Sequence, residues 1–88
     1  MNGNDDLQQD ANTWFNLGLF YFKENNLSKA RECWEVITRE DDPKAYVSAR
    51  LNLGLSYFDE GNLSQARECW EVITREDDPK AYVSARLY

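Results

Sequence analysis

Apolar residues recur along this chain at helical spacing. Leu27, Ala30, Trp34 and Ile37 fall on one helical face, Cys33 and Val36 widen it, and Lys29, Arg31, Glu32, Glu35 and Arg39 form a solvated face. A second pattern is richer. Ala49, Leu53 and Tyr57 make one stripe around Gly54, while Val47, Leu51, Leu55 and Phe58 make another about a third of a turn away. A helix of this kind carries more apolar surface than one neighbour can cover.

Local chemistry marks where the helices start and stop. Asp42 before Pro43, and Asp78 before Pro79, place an N-cap acceptor ahead of a proline suited to the first helical position. In Glu24-Asn25-Asn26 and Glu60-Gly61-Asn62, Asn or Gly can take the left-handed conformation that ends one helix while the following Asn caps the next. Turns this tight make the flanking helices antiparallel neighbours. The expected segments are therefore Ala11 to Glu24, Leu27 to Arg39, Pro43 to Glu60, Leu63 to Arg75 and Pro79 to Tyr88, the last about half the length of its internal counterpart.

The chain repeats itself. A shift of 36 positions superimposes Ala30 to Leu51 on Ala66 to Leu87 without a difference. Upstream, Asn16-Leu17-Gly18-Leu19 recurs as Asn52-Leu53-Gly54-Leu55, and the changes are few: Phe20 to Ser56, Lys23 to Asp59, Asn25 to Gly61 and Lys29 to Gln65. Natural copies drift at solvent-facing positions, where substitutions cost little. Identity over so long a stretch points to a very recent duplication or to deliberate design, of which design is the favoured reading. Before Asn16 the repeat fails, because Thr13-Trp14-Phe15 stands where Ala49-Arg50-Leu51 would, so this segment reads as a distinct N-terminal cap.

Gly18 and Gly54 sit mid-helix at a cost of about 1 kcal/mol relative to alanine, which a close approach between the helices of one hairpin would offset. Around them, Trp14-x-x-Leu17-Gly18-x-x-Tyr21, then Ala30, Trp34 and Pro43, resembles the tetratricopeptide pattern of Trp, Leu-Gly, Tyr, Ala, an aromatic and Pro. The second copy offers Leu53-Gly54-x-x-Tyr57, Ala66, Trp70 and Pro79. The resemblance implies an all-α fold, a right-handed superhelix of antiparallel helix-turn-helix hairpins: an α-solenoid of about two and a half repeats. In domain terms it covers residues 11–88, with hairpins over 11–40 and 43–76 and a truncated capping helix over 79–88, after a disordered or frayed segment over 1–10. Three features depart from the pattern. Arg50 replaces the second tryptophan, Ile37 and Ile73 fill a usually small position, and the period of 36 exceeds the family's usual value of about 34. Hairpin packing and superhelical pitch are expected to be non-standard as a result.

Charge and composition narrow the function. The chain has 88 residues, 42% of them hydrophobic, and a formal net charge of -6, which opposes long-range attraction to nucleic acid or anionic lipid. No apolar run approaches the roughly 20 residues of a spanning helix, and the polar, acidic stretch Met1 to Asp10 has no signal core, so a cytoplasmic location is the default. Histidine is absent, which removes His-based acid-base catalysis, Ser-His and Cys-His nucleophiles and His metal ligands. Cys33 and Cys69 lie one full period apart, unlike the close pairs of zinc or redox sites, and are expected to be buried structural thiols. Equivalent atoms of stacked repeats lie about 10 Å apart, beyond the reach of a disulfide within the chain. Glu40-Asp41-Asp42 and Glu76-Asp77-Asp78 lack the alternating ligands of a calcium loop and read as caps and solvated charge. Neither an enzyme nor a cofactor is expected.

Two functions remain. In the first, carried by the resemblance, the first helix of each hairpin lines a concave groove for a peptide or amphipathic helix, through Asn12, Phe15, Leu19, Phe22 and Lys23 in one repeat and Ser48, Leu51, Leu55, Phe58 and Asp59 in the next. In the second, the chain associates with copies of itself. Tyr82, Val83 and Leu87 of the last helix copy residues covered internally by following helices, and they would meet the Trp14 to Phe22 face of another copy or exchange helices with it.

Overall fold

The computed structural model describes residues 10–86. Five helices occur among them: α1 (Ala11–Lys23), α2 (Leu27–Glu35), α3 (Pro43–Asp59), α4 (Leu63–Glu71) and α5 (Pro79–Arg86). α1 pairs with α2 and α3 with α4, and these two hairpins stack because α3 lies against both α1 and α2; α5 packs in the same way on α3 and α4.

The expected start signals act as read. The Asp42 carboxylate accepts from the backbone N–H groups of Lys44 and Ala45 at 3.0 and 3.1 Å, and Asp78 repeats this with Lys80 and Ala81 at 2.9 and 3.1 Å. Asn26 and Asn62 cap α2 and α4 by accepting from Lys29 and Gln65. Between the helices of each hairpin the chain reverses at a left-handed residue, Asn25 with φ 62° and Gly61 with φ 83°. Asp10 caps α1 through Thr13 at 2.8 Å.

The second helix of each hairpin is shorter than the apolar pattern predicts. α2 stops at Glu35 and α4 at Glu71, each four residues before the expected ends at Arg39 and Arg75. The cause is a local turn that competes with the helix. The Thr38 backbone N–H donates to the Asp41 carboxylate while the Asp41 N–H donates to the Thr38 hydroxyl, and Thr74 with Asp77 does the same. Val36, expected to widen the buried face, does not do so. It is the residue capping α2 and is 49% exposed, as is its counterpart Val72 at 38%, whereas Ile37 turns inward at 3%. The remaining helix ends, at Lys23 and Asp59, fall one residue before the expected ones. Leu87 and Tyr88, the expected end of α5, lie outside the described residues, as do positions 1–9 of the N-terminal segment.

Two clusters form the core. One joins Ala30, Trp34 and Ile37 of the first hairpin to Ala45, Ala49 and Leu53 of α3. The other joins Val47 to Ala66, Trp70 and Ile73, with Ala81 and Ala85 of α5 packed on it. Helices of nine residues such as α2 and α4 are too short to persist alone in water. Burial holds them. Each buried large side chain contributes about 1.5–3 kcal/mol, and Trp34 and Trp70 are 1% and 2% exposed.

The glycine expectation is met at atomic detail. A Cβ built on Gly18 would sit inside van der Waals contact of the Trp34 indole, 2.7 Å from Cε2, and one on Gly54 would meet the Trp70 ring 2.6 Å from Cδ1. Each tryptophan therefore sets the N–H edge of its indole against a bare backbone, and that N–H donates to a carbonyl about one turn away: Trp34 to Phe15 at 3.2 Å, Trp70 to Leu51 at 3.1 Å.

Candidate interaction surfaces

α1 and α3 each present three sides. One faces the tryptophan of its own hairpin. The second, which on α3 carries Ala49, Leu53 and Ser56, is fully buried against the first hairpin. The third is the more exposed, and the residues expected to line a groove divide between it and the tryptophan side.

Their environments differ between the two helices. On α1, Asn12 and Lys23 are exposed, and Phe15, Leu19 and Phe22 are half-buried against the core. Phe15 and Phe22 rest on Trp34, with ring centroids 6.4 and 5.9 Å apart. On α3, Ser48 and Leu51 are half-buried, Leu55 and Phe58 are 40% and 39% exposed, and Asp59 is exposed. Phe58 leans on Trp70 at 6.2 Å.

At α5, two guanidinium groups flank one ring: Arg75 and Arg86 lie 5.2 and 4.7 Å from the Tyr82 centroid. The hydrogen bond from Arg86, helped by both positive charges, lowers the Tyr82 pKa below the usual phenol value. Val83 is 58% exposed, whereas its repeat counterpart Val47 is 4% exposed inside the second core cluster. Leu87 falls outside the described residues.

The junction between hairpins holds contacts that periodicity did not reveal. Arg31 of α2 stacks on the Tyr57 ring at 3.9 Å, donates from Nε to the Ser56 hydroxyl at 2.8 Å and from Nη2 to Glu60 at 2.7 Å. Ser56 is fully buried, and its own hydroxyl donates to the Leu53 carbonyl at 2.7 Å. Beyond α2, Arg39 meets the Asp77 carboxylate and also donates to the Val72 carbonyl at 2.6 Å. Arg50, which stands where the first repeat has Trp14, donates to the Cys69 carbonyl at 3.2 Å. A signal for these pairs does exist in the sequence: arginines at 31 and 39 recur at 67 and 75, and the acidic residues at 24 and 41 recur at 60 and 77.

The outer side of α1 mirrors the junction side of α3, and among the described residues no helix covers it. Leu17 and Phe20 are 37% and 55% exposed where Leu53 and Ser56 are fully buried. Beside them Trp14, Leu17, Tyr21, Lys29 and Val36 border a shallow cavity of about 250 Å³. Both thiols are free and buried, and burial raises their pKa values above the ordinary thiol range. Among the described residues no three Cys, Asp or Glu side chains gather as a metal site, and no helix is long and apolar enough to cross a membrane.

Residues 11–35, which span α1 through the last residue of α2, match the family model described as Tetratricopeptide repeat. No curated protein and no solved structure matches the chain. Repeats of this family generally serve as non-enzymatic scaffolds for protein–protein interaction.

Proposed function

We propose that this chain, which carries a tetratricopeptide repeat in its first hairpin, is a protein-interaction scaffold that takes an amphipathic helix or peptide along the third side of α1 and α3. The observation that supports it most is Leu55, which stays 40% exposed one helical turn before the exposed Asp59 and belongs to neither core cluster. Leu19, Leu51 and Leu55 supply an apolar strip, and Asn12, Lys23 and Asp59 supply polar edges. A bound helix would set its apolar residues on the strip at every third or fourth position. The opposite charges of Lys23 and Asp59 at equivalent repeat positions favour a ligand whose charge changes sign along its length. The near identity of the repeats supports design or recent duplication as the origin of this surface.

Titration with amphipathic helical peptides, followed by tryptophan emission, tests the proposal. Leu55→Asp should weaken binding by roughly five- to thirtyfold, the effect of losing an anchor worth about 1–2 kcal/mol. Equal affinity of the variant and the parent chain would move the ligand to another face.

A further inference from the structure

The loop after α2 recurs unchanged after α4: Val36-Ile37-Thr38-Arg39-Glu40-Asp41-Asp42 is repeated as Val72-Ile73-Thr74-Arg75-Glu76-Asp77-Asp78. The two loops also fold alike. In each, the first Asp carboxylate accepts from the backbone N–H of the Thr three residues before it, Asp41 from Thr38 at 3.2 Å and Asp77 from Thr74 at 2.9 Å. The Thr hydroxyl accepts in return from the Asp N–H, at 3.2 Å in both loops. The second loop holds a guanidinium. Arg39 donates from Nε and Nη2 to the two Asp77 oxygens, at 2.8 Å each, and from Nη2 to the Val72 carbonyl at 2.6 Å. The first loop offers the same carboxylate and carbonyl at Asp41 and Val36, yet Asp41 makes no ion pair among the described residues. Asp41 is exposed and Val36 is 49% exposed.

We propose that Asp41 and the Val36 carbonyl form a receptor for an arginine side chain of a partner protein. The occupied loop shows which ligand this turn selects. A planar guanidinium gives one N–H to each carboxylate oxygen and a further one to the carbonyl, a fork that a lysine ammonium does not match. The Thr38 N–H holds the Asp41 carboxylate as Thr74 holds that of Asp77, so the seat is formed before the ligand arrives.

Its surroundings favour a cation from another molecule. Tyr46, whose ring lies 4.8 Å from the Arg39 guanidinium at the occupied seat, is replaced one period earlier by Asp10, which adds a second carboxylate. The nine residues of sequence before Asp10 include neither arginine nor lysine and supply no guanidinium. The other arginine seat of the junction has no such copy. Arg31 rests on Tyr57 and donates to Ser56, whereas one period earlier Phe20 replaces the serine and the Lys29 ammonium lies 5.9 Å from the Tyr21 ring centroid. Because Asp41 is exposed where the Asp77 side chain is 7% exposed, a lone arginine binds weakly, and the seat adds selectivity and orientation to a partner with further contacts.

Backbone amide chemical shifts read the seat directly. The full chain is titrated with N-acetyl-argininamide to roughly 0.5 M, the scale on which one exposed ion pair saturates, against N-acetyl-lysinamide at equal ionic strength. Thr38 and Asp41 are expected to shift along a saturating curve, at least about threefold tighter for the arginine probe than for the lysine probe. Asp41→Asn, at an exposed position and checked for helicity by circular dichroism, should leave the Thr38 response without saturation. Arg39→Ala, which empties the internal seat, should add matching shifts at Thr74 and Asp77. No saturating shift at Thr38 and Asp41, an equal response to the two probes, an unaltered response in Asp41→Asn, or an emptied Asp77 seat that ignores the arginine probe would each overturn the proposal.

Discussion

Arg39 closes on the Asp77 carboxylate across 38 residues of sequence, Nε to Oδ1 and Nη2 to Oδ2, both at 2.8 Å. The fork geometry is the strong form of an ion pair, and it ties the loop after α2 to the loop after α4. The Asp77 side chain is only 7% exposed and also accepts from the Thr74 backbone, while the Arg39 side chain is 44% exposed.

This pair gives stability a defined acid limb. The hydrogen bond from Arg39, reinforced by that from Thr74, lowers the Asp77 pKa to about 2 from an ordinary value of 3.8. A carboxylate depressed in the folded state contributes stability that is fully present above its unfolded pKa and is lost as pH falls through the folded one. Stability against thermal unfolding should therefore fall between about pH 4 and pH 2, by on the order of 1 kcal/mol once solvent screening of the half-exposed arginine is allowed for. Asp77→Asn should lower the melting temperature at pH 7 and flatten that part of the profile. An unchanged profile would show the pair to be energetically silent.

Alanine at the mid-helix glycines should destabilise the protein, against the helical preference that favours alanine by about 1 kcal/mol. A Cβ at Gly54 would fall within the Trp70 ring, and the indole can move only by giving up its bond to the Leu51 carbonyl. The expected net cost of Gly54→Ala, or of Gly18→Ala at Trp34, is about 2–3 kcal/mol by chemical denaturation, in the range for overpacking a close contact. A stabilised variant would mean that the tryptophan relaxes freely.

Ser56→Ala should cost about 1–2 kcal/mol, because the buried hydroxyl is acceptor to Arg31 and donor to the Leu53 carbonyl. A double-mutant cycle with Arg31→Ala separates this contact from the rest of the junction, and a coupling energy near zero would count against it.

The two thiols should be slow to react. Cys33 and Cys69 are 4% and 7% exposed, and burial raises both pKa values, so little thiolate is present at neutral pH. Ellman's reagent should label both only as the chain unfolds, at least about a hundredfold slower than in denaturant, since reaction must await opening of the hairpins. Fast labelling of the folded chain would contradict their burial.

The sequence alone determined the features that arise within a few residues of each other. Asp42-Pro43, Asp78-Pro79, Asn26 and Asn62 start helices because a cap needs only a side chain and the next two or three N–H groups. The repeat and a close approach of helices at Gly18 and Gly54 were likewise legible, whereas the structure supplied Trp34 and Trp70 as the side chains that make it. A Thr-x-x-Asp turn that ends α2 and α4 early was present in the sequence too, but the apolar pattern running on to Ile37 and Ile73 masked it. Tertiary structure alone decided the rest. Periodicity gives a side chain's direction around its own helix, not what lies opposite, so Arg31 meeting Ser56, Arg39 meeting Asp77, and the different exposure of Leu19 and Leu55 depended on how one hairpin stacks on the next.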